Sequence, residues 1–590
     1  MKMKSFKRVL AMALATAMIL TACGQKPAAN TSESTKTSES APAKESEVKE
    51  SEAVTETVID KDKLPVITMY PANANLFSGL VTGHRSDFFA QYGFQLEVWA
   101  HSEEKTTAML TTGDFPDMMY IDNFGVDGLE ILIENEKIIN YDDYKEYLPN
   151  FFEDPFNEYV EANFDRIREN WSAGTGGLYL LPWQLGTSSN IYAQTSTFDR
   201  NVPKLKWDVY EAIGAPEITD LWQMIDVAEE MLKYQPTDEN GNKMYGTFLD
   251  TGMSGDRFGG MYLWYSWHGY APSMHGKLCE VDLVNGTVES IFEEDSIYKE
   301  GVRWYNEIYR RGLLDPDSIS TDRNTQGAKV DEGLAILPSG TLPGWPDKYY
   351  EVFVPGTTVY FDYTREQMAA CMGIVINKDS EYIEECLAFV NMLADPYCWL
   401  NINYGPEGVM WESEGNVLSI TDEFAAWLKE KGAINFFPMG DGTEWNTWNT
   451  TFPFMDGTPI EGYVDINGEP LCALPTLWPD AQAITTAAPN WNAWKETMDA
   501  EDLWDYCEKN DITVHQVNRF EGVITPVASD EMQLKIATIK DVVVPATWKM
   551  IYAETDAEFD ELWNQMVKDA MDLGAQDVID WFKENYKPNK

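Results

Sequence analysis

The chain has 590 residues with 97 acidic and 44 basic side chains, a net charge of −53. That charge repels nucleic acid and anionic lipid and excludes both as partners of a folded body. Seven cysteines without a CxxC pair and five histidines without an HExxH run give neither a disulfide framework nor a zinc site.

Lys2, Lys4, Lys7 and Arg8 precede the apolar run Val9–Leu20. The run is too short to span a membrane, which takes about 20 apolar residues, but suits a signal peptide. It ends in Leu20-Thr21-Ala22-Cys23-Gly24, which resembles the lipobox of bacterial lipoproteins. The resemblance implies a signal peptide over 1–22 and acyl chains, palmitate among them, carried by Cys23. Several acyl chains hold a soluble domain at a membrane where one is marginal. Loss of the signal makes the net charge −57. Residues 23–63 are rich in Ser, Thr, Glu, Lys and Ala and lack aromatics. They cannot bury enough apolar surface to order themselves and form a tether with a reach of roughly 35 Å.

The body opens with the apolar run "LPVITMYP" (64–71), suited to a strand, and a second strand is expected at "GFQLEVWA" (93–100), with a helix near Ser86–Gln91 between them. A helix in "EEKTTAMLTT", a Gly-Asp break and a short strand at Met118–Ile121 follow. Alternating strands and helices predict a mostly parallel sheet. Leu221, Met224, Ile225, Ala228, Met231 and Leu232 share one helical face, with Thr219 placed as cap. Tyr298, Val302, Tyr305, Ile308 and Tyr309 form a second stripe that Gly312 can stop. Ile383, Cys386, Leu387, Val390 and Leu393 form a third, ending at Pro396, and two helices close the chain around Phe559–Met571 and Val578–Phe582. Cys386 falls on such an apolar face and reads as a small buried hydrophobe.

In this order "MLTTGDFPDMMYID" (109–122), "GLYLLPWQLGTSSNIYAQTSTFD" (177–199), "YNEIYRRGLLDPDSIS" (305–320), "EGLAILPSG" (332–340), "MGIVINKDSEYIEECLAFVNMLADP" (372–396) and "NYGPEGVMWE" (403–412) resemble segments of the extracellular solute-binding proteins, family 1, of ABC importers. The likeness is to the large sugar-binding lipoproteins of Gram-positive bacteria. It implies an α/β, two-lobed periplasmic-binding-protein-like fold of type II, with mostly parallel sheets flanked by helices and a ligand cleft between the lobes. Lobe 1 is expected from 64–187, lobe 2 from 188–371, and 372–590 returns to lobe 1 before its C-terminal helices pack on lobe 2. Crossings are expected near Leu185–Ile191 and Cys371–Gly373. The implied function is capture of a carbohydrate, an oligosaccharide given the size of the body, by hinge closure and delivery to permease subunits. The protein would be a monomer, lipid-anchored on the extracellular face of the cell membrane. A cell-surface glycoside hydrolase or lyase is the alternative. Hydrolysis needs a carboxylate pair about 5–9 Å apart, and no stretch marks one.

A sugar presents apolar C–H faces and many hydroxyls, so its site needs aromatic platforms with amides and carboxylates. The 21 Trp, 29 Tyr and 26 Phe include runs that mix these groups. Candidate ligand residues are Asn73, Asp122, Asn123, Trp183, Gln184, Trp264, Tyr265, Trp267, Trp345, Tyr404, Glu407, Trp411, Trp445 and Trp448. Gly259-Gly260 and Gly269 around Trp264, Tyr265 and Trp267 favour a loop or short element there. No cofactor is expected. Some members of the family carry a calcium loop near "QPTDENGNKMYG" (235–246). Here Asp238, Asn240 and Asn242 fall short of the six to eight oxygens calcium takes, with Pro236 at the first position and Thr247 at the twelfth, so a polar turn is expected.

Overall fold

The computed structural model describes residues 59–71, 78–122, 126–152, 164–165, 167–181, 202–250, 259–271, 278–321, 323–338, 348–362, 372–431, 434, 436–445, 459–486, 489–517 and 528–586. In chain order the first part holds β1 (Val66–Pro71), β2 (Gly79–Leu80), α1 (Gly83–Gln91), β3 (Gln95–Val98), α2 (Glu103–Thr112), β4 (Met118–Asp122) and α3 (Val126–Glu134). The second part holds β5 (Lys204–Lys206), α4 (Leu221–Tyr234), α5 (Gly259–Trp267), β6 (Cys279–Val281), β7 (Val288–Ser290), α6 (Ile297–Arg310), β8 (Tyr349–Glu351) and β9 (Tyr360–Asp362). Then come β10 (Met372–Ile376), α7 (Ile383–Leu393), α8 (Pro396–Tyr404), β11 (Trp411–Glu414), β12 (Val417–Ile420), β13 (Pro459–Val464), β14 (Pro470–Cys472) and α9 (Pro479–Thr486). The chain closes with α10 (Pro489–Met498), α11 (Leu503–Lys509), β15 (His515–Val517), α12 (Asp530–Ile551), α13 (Asp556–Asp572) and α14 (Ala575–Asn585).

Two separate hydrophobic cores make two lobes. One is built from residues between Ile67 and Leu181 and between Ile374 and Ala481. The other is built from residues between Leu205 and Val354 and between Trp494 and Tyr586. The backbone therefore passes between cores three times, after Leu181, after β9, and between α9 and α10. Gly373 shows how closely the first two passages lie at lobe 1. A Cβ there would stand 2.3 Å from the Leu181 carbonyl oxygen, so only glycine fits where the departing and returning chains touch.

Lobe 1 is centred on a sheet of order β10-β4-β1-β3-β2. β1 pairs in parallel with β3 and β4, while β10 and β2 join antiparallel at the edges. Asp117 fastens the amino ends of these strands. Its carboxylate accepts the Thr68 N–H at 2.8 Å and the hydroxyls of Thr68 and Ser380, each at 2.6 Å. Elsewhere β9 and β15 are parallel, as is the single bridge between Val417 and Val464, and the remaining pairs are antiparallel. The α/β class holds. The sheets, however, are mixed rather than mostly parallel, because most strands after Leu181 are short and pair antiparallel.

Apolar stripes place the helices as the periodicity predicts. Asp220, not Thr219, caps α4, taking the N–H groups of Trp222 and Gln223, while Thr219 donates through N–H and hydroxyl to Gln223 Oε1. The loop or short element expected around Trp264 is the nine-residue helix α5. Glycines flank it, but its rings are buried on every side, which drives helix formation from packing rather than propensity. Gly301 on α6 makes room for it, since a Cβ there would meet Trp264 Cδ1 at 2.6 Å. Among the described residues no helix is long and apolar enough to cross a membrane.

Candidate functional site

The register of lobe 1 brings several chain ends to one edge of its sheet. Pro71 of β1 stands beside Tyr120 of β4, and Asp122 at the end of β4 pairs with Met372 at the start of β10. β3 ends at the same edge, with Val98 opposite Met69. From β1 the chain moves to β3 on one side, then returns across β1 to β4 on the other. This reversal is a topological switch point, and the crevice beyond the carboxyl ends of such strands is where open α/β sheets take ligands.

Trp99 leaves β3 at this edge. Its N–H donates to the Met69 carbonyl at 2.8 Å, and its side chain is 38% exposed. Tyr70 fixes the turn that follows. Its buried hydroxyl donates to the Ser102 carbonyl at 2.8 Å and accepts the Ser102 N–H at 3.1 Å. The Tyr70 ring lies against His101, with centroids 6.1 Å apart. His101 Nδ1 is 3.0 Å from the Pro71 carbonyl oxygen, which makes it the protonated ring nitrogen. Ser102 caps α2, accepting the Lys105 N–H. An indole is thus held half-exposed on a fixed backbone, an arrangement that can stack on an apolar sugar face. None of Pro71, Trp99, Ala100, His101, Asp122 or Met372 is Lys or Arg, so these edge residues give no cationic cradle for an acidic ligand.

The candidates named from the sequence fall into three groups. Cys23, Asn73, Asn123, Trp183, Gln184, Trp345 and Trp448 lie outside the described residues, as do Leu185–Ile191 and Cys371. Asp122 ends β4 at the switch-point edge. The others are packed into the cores, apart from Glu407. Trp264 donates to the Ile297 carbonyl at 3.0 Å and rests on Trp304, Tyr265 donates to Glu280 at 2.9 Å, and Trp267 packs edge-on against Trp304. Trp411 donates to the Gly405 carbonyl at 2.8 Å. Trp445 donates to the Asn403 carbonyl at 3.0 Å and stacks on Tyr404. The faces of these six rings meet neighbouring side chains, and all six are buried. Glu407 is exposed and accepts the N–H and hydroxyl of Ser413, which closes its own loop. The sequence reading overlooked Trp99, although it found the strand that delivers it.

No family model and no curated protein matches the chain. Solved structures do. One is the HMO-binding ABC-transporter-associated solute-binding protein of Bifidobacterium longum infantis, 16% identical over 89% of this chain and 98% of that one, with a TM-score of 0.51. Another is the ABC-transporter substrate-binding protein FusA of S. pneumoniae in complex with kestose, 16% identical over 88% and 98%, with a TM-score of 0.56. A third is an alginate-binding protein solved without calcium ion, 13% identical over 89% and 98%, with a TM-score of 0.55. The chain has the fold of the ABC-transporter solute-binding proteins.

The Asp238 loop is a hydrogen-bonded turn closed by the Thr237–Lys243 bridge. Asp238 Oδ1 already accepts the N–H groups of Asn240 and Asn242 at 2.9 and 2.7 Å, and Oδ2 accepts the Asn242 side-chain amide at 2.9 Å. Thr247, at the twelfth position, is buried and bonded to Leu313 and Asp315. Among the described residues no three His, Cys, Asp or Glu side chains converge as metal ligands. Among the described residues Cys279, Cys386, Cys398, Cys472 and Cys507 are all buried.

Proposed function

We propose that the protein is the substrate-binding lipoprotein of an ABC importer and captures an uncharged oligosaccharide by closing its two lobes. The fold carries this reading, being shared over nearly the whole body with solute-binding proteins, one of them in complex with kestose. Trp99 at the switch point supplies a platform suited to a sugar ring, and the acidic composition disfavours anionic ligands. Cys23 carries the lipid, residues 23–63 are the tether, and the body stands on the extracellular face of the membrane as a monomer that hands its cargo to a permease. The Asp238 loop serves as a polar turn with no resident cation, and the body performs no chemistry on its ligand.

A thermal-shift screen of the mature protein against neutral glycans of increasing length tests this reading, with the glycan recovered afterwards by mass spectrometry. A ligand that binds only the folded state raises the midpoint by mass action, and at 100 times Kd this amounts to about 2.7 kcal/mol. The expected result is a raised midpoint with the glycan intact. Shorter products would favour the tethered hydrolase or lyase, and no shift with any glycan would remove the carbohydrate reading.

A further inference from the structure

A third, small apolar cluster adjoins the lobe-2 core, with which it shares Phe353 and Leu503. Val202, Val359 and Cys507 are its buried centre, and Phe353, Leu503, Trp504, Ile512 and Val514 pack around it. Its members come from the passages between lobes. Val202 is the first described residue after the chain leaves lobe 1 at Leu181. Val359 precedes β9, from which the chain returns to lobe 1 at β10. Cys507 sits on α11, the helix that follows α10 after the third passage. The first two passages thus come together at both ends: Leu181 meets Gly373 on the lobe-1 side, and on the lobe-2 side Val202 and Val359 share one cluster while the Val352 N–H donates to the Pro203 carbonyl at 2.8 Å.

The segment Ala500–Val517 fastens this point. β15 adds in parallel to β9, pairing His515 with Tyr360 and Val517 with Asp362, and the His515 N–H donates to the Val359 carbonyl at 3.0 Å. Tyr506 stacks on Phe353 with ring centroids 4.3 Å apart. On either side of α11 the backbone is left-handed at Asp499 and Asp511, with φ of 51° and 53°. Each follows the end of a helix, where a left-handed residue closes the last turn. The Lys509 ammonium donates to the Asp499 carbonyl at 2.8 Å and ties one of these turns to the helix.

We propose that Ala500–Val517 is a hinge clamp, binding together the lobe-2 roots of the inter-lobe passages and so setting, from outside the ligand site, how freely the lobes open and how tightly cargo is held. The proposal rests on the reading that the lobes close on a ligand. A fixed root leaves fewer open arrangements to be lost on closure, so loosening it lowers affinity without touching a ligand contact. Val359→Ala combined with Tyr506→Ala hollows the cluster and removes the ring stack. Distances are read between probes introduced as non-natural residues at Glu423 in lobe 1 and Glu561 in lobe 2, both exposed. The clamp predicts a broadened distance distribution in the ligand-free variant, and a Kd for a bound neutral glycan raised roughly fivefold. If the double variant does not fold, His515→Pro removes the hydrogen bond to Val359 alone and carries the same expectation. Faster hydrogen exchange at 359–362 and 515–517 with an unchanged distance distribution would overturn the proposal. A wild-type protein that binds no glycan would remove the carbohydrate reading, while the ligand-free distances still decide the clamp.

Discussion

Trp99 and Glu280 mark the two ways a single side chain matters in this protein. Trp99 is half-exposed, and its backbone is held independently of its ring. Trp99→Ala is therefore expected to leave the melting temperature within a degree or two of wild type and to weaken glycan binding about tenfold or more, since an aromatic contact is worth on the order of 1 kcal/mol beyond its buried area. Titration calorimetry checks it, and an unchanged Kd would move the platform elsewhere. Glu280 is buried in lobe 2, where it accepts the Tyr265 hydroxyl and the N–H groups of Tyr298 and Ile297 at the start of α6. Burial pushes its carboxyl up to about 7 against the pull of those donors. The folded protein then holds a proton that the unfolded chain releases near the ordinary glutamate value of 4.5. This stabilisation is fully present below about pH 4.5 and is lost as the pH rises through 7. Glu280→Gln is expected to flatten the fall in thermal midpoint between those limits, and a variant that keeps the wild-type slope would contradict the assignment.

Between elements, the contact of α5 with α6 shows what aromatic richness does here. Trp264, Trp267, Trp304 and Tyr305 interlock, with Gly301 leaving the gap that Trp264 fills. Gly301→Val is expected to overpack this contact and destabilise lobe 2 by about 2–3 kcal/mol, readable as a lower urea midpoint, while leaving lobe 1 unaffected. A variant as stable as wild type would mean that the helices separate easily. The same contact explains where the sequence was legible. The stripes of α4, α6 and α7 alternate apolar and charged residues, so their period survives in the sequence. In α5 apolar and aromatic residues occur all round, so no face stands out, and Gly259, Gly260 and Gly269 read as a loop or short element. The 22-residue helix α12 escaped notice because Pro545 lies within it. Trp99 lies in no aromatic run, and its exposure comes from following a strand to the open edge of the sheet. Distance from the chain start does not separate core from site among the tryptophans; only the tertiary register does.

At the scale of the whole molecule, the order of six weak segments conveyed the two-lobed architecture, and the two cores with three passages give it physical form. Composition bears on the charge of the ligand rather than on its identity, because a body of this charge disfavours anions unless a local basic pocket holds them. In the proposed function two lobes close on an uncharged sugar. Small-angle scattering of the mature protein, with and without a saturating neutral glycan from the thermal screen, tests it most directly. Closure predicts a smaller radius of gyration in the saturated protein. A radius unchanged while calorimetry shows the site filled would contradict it.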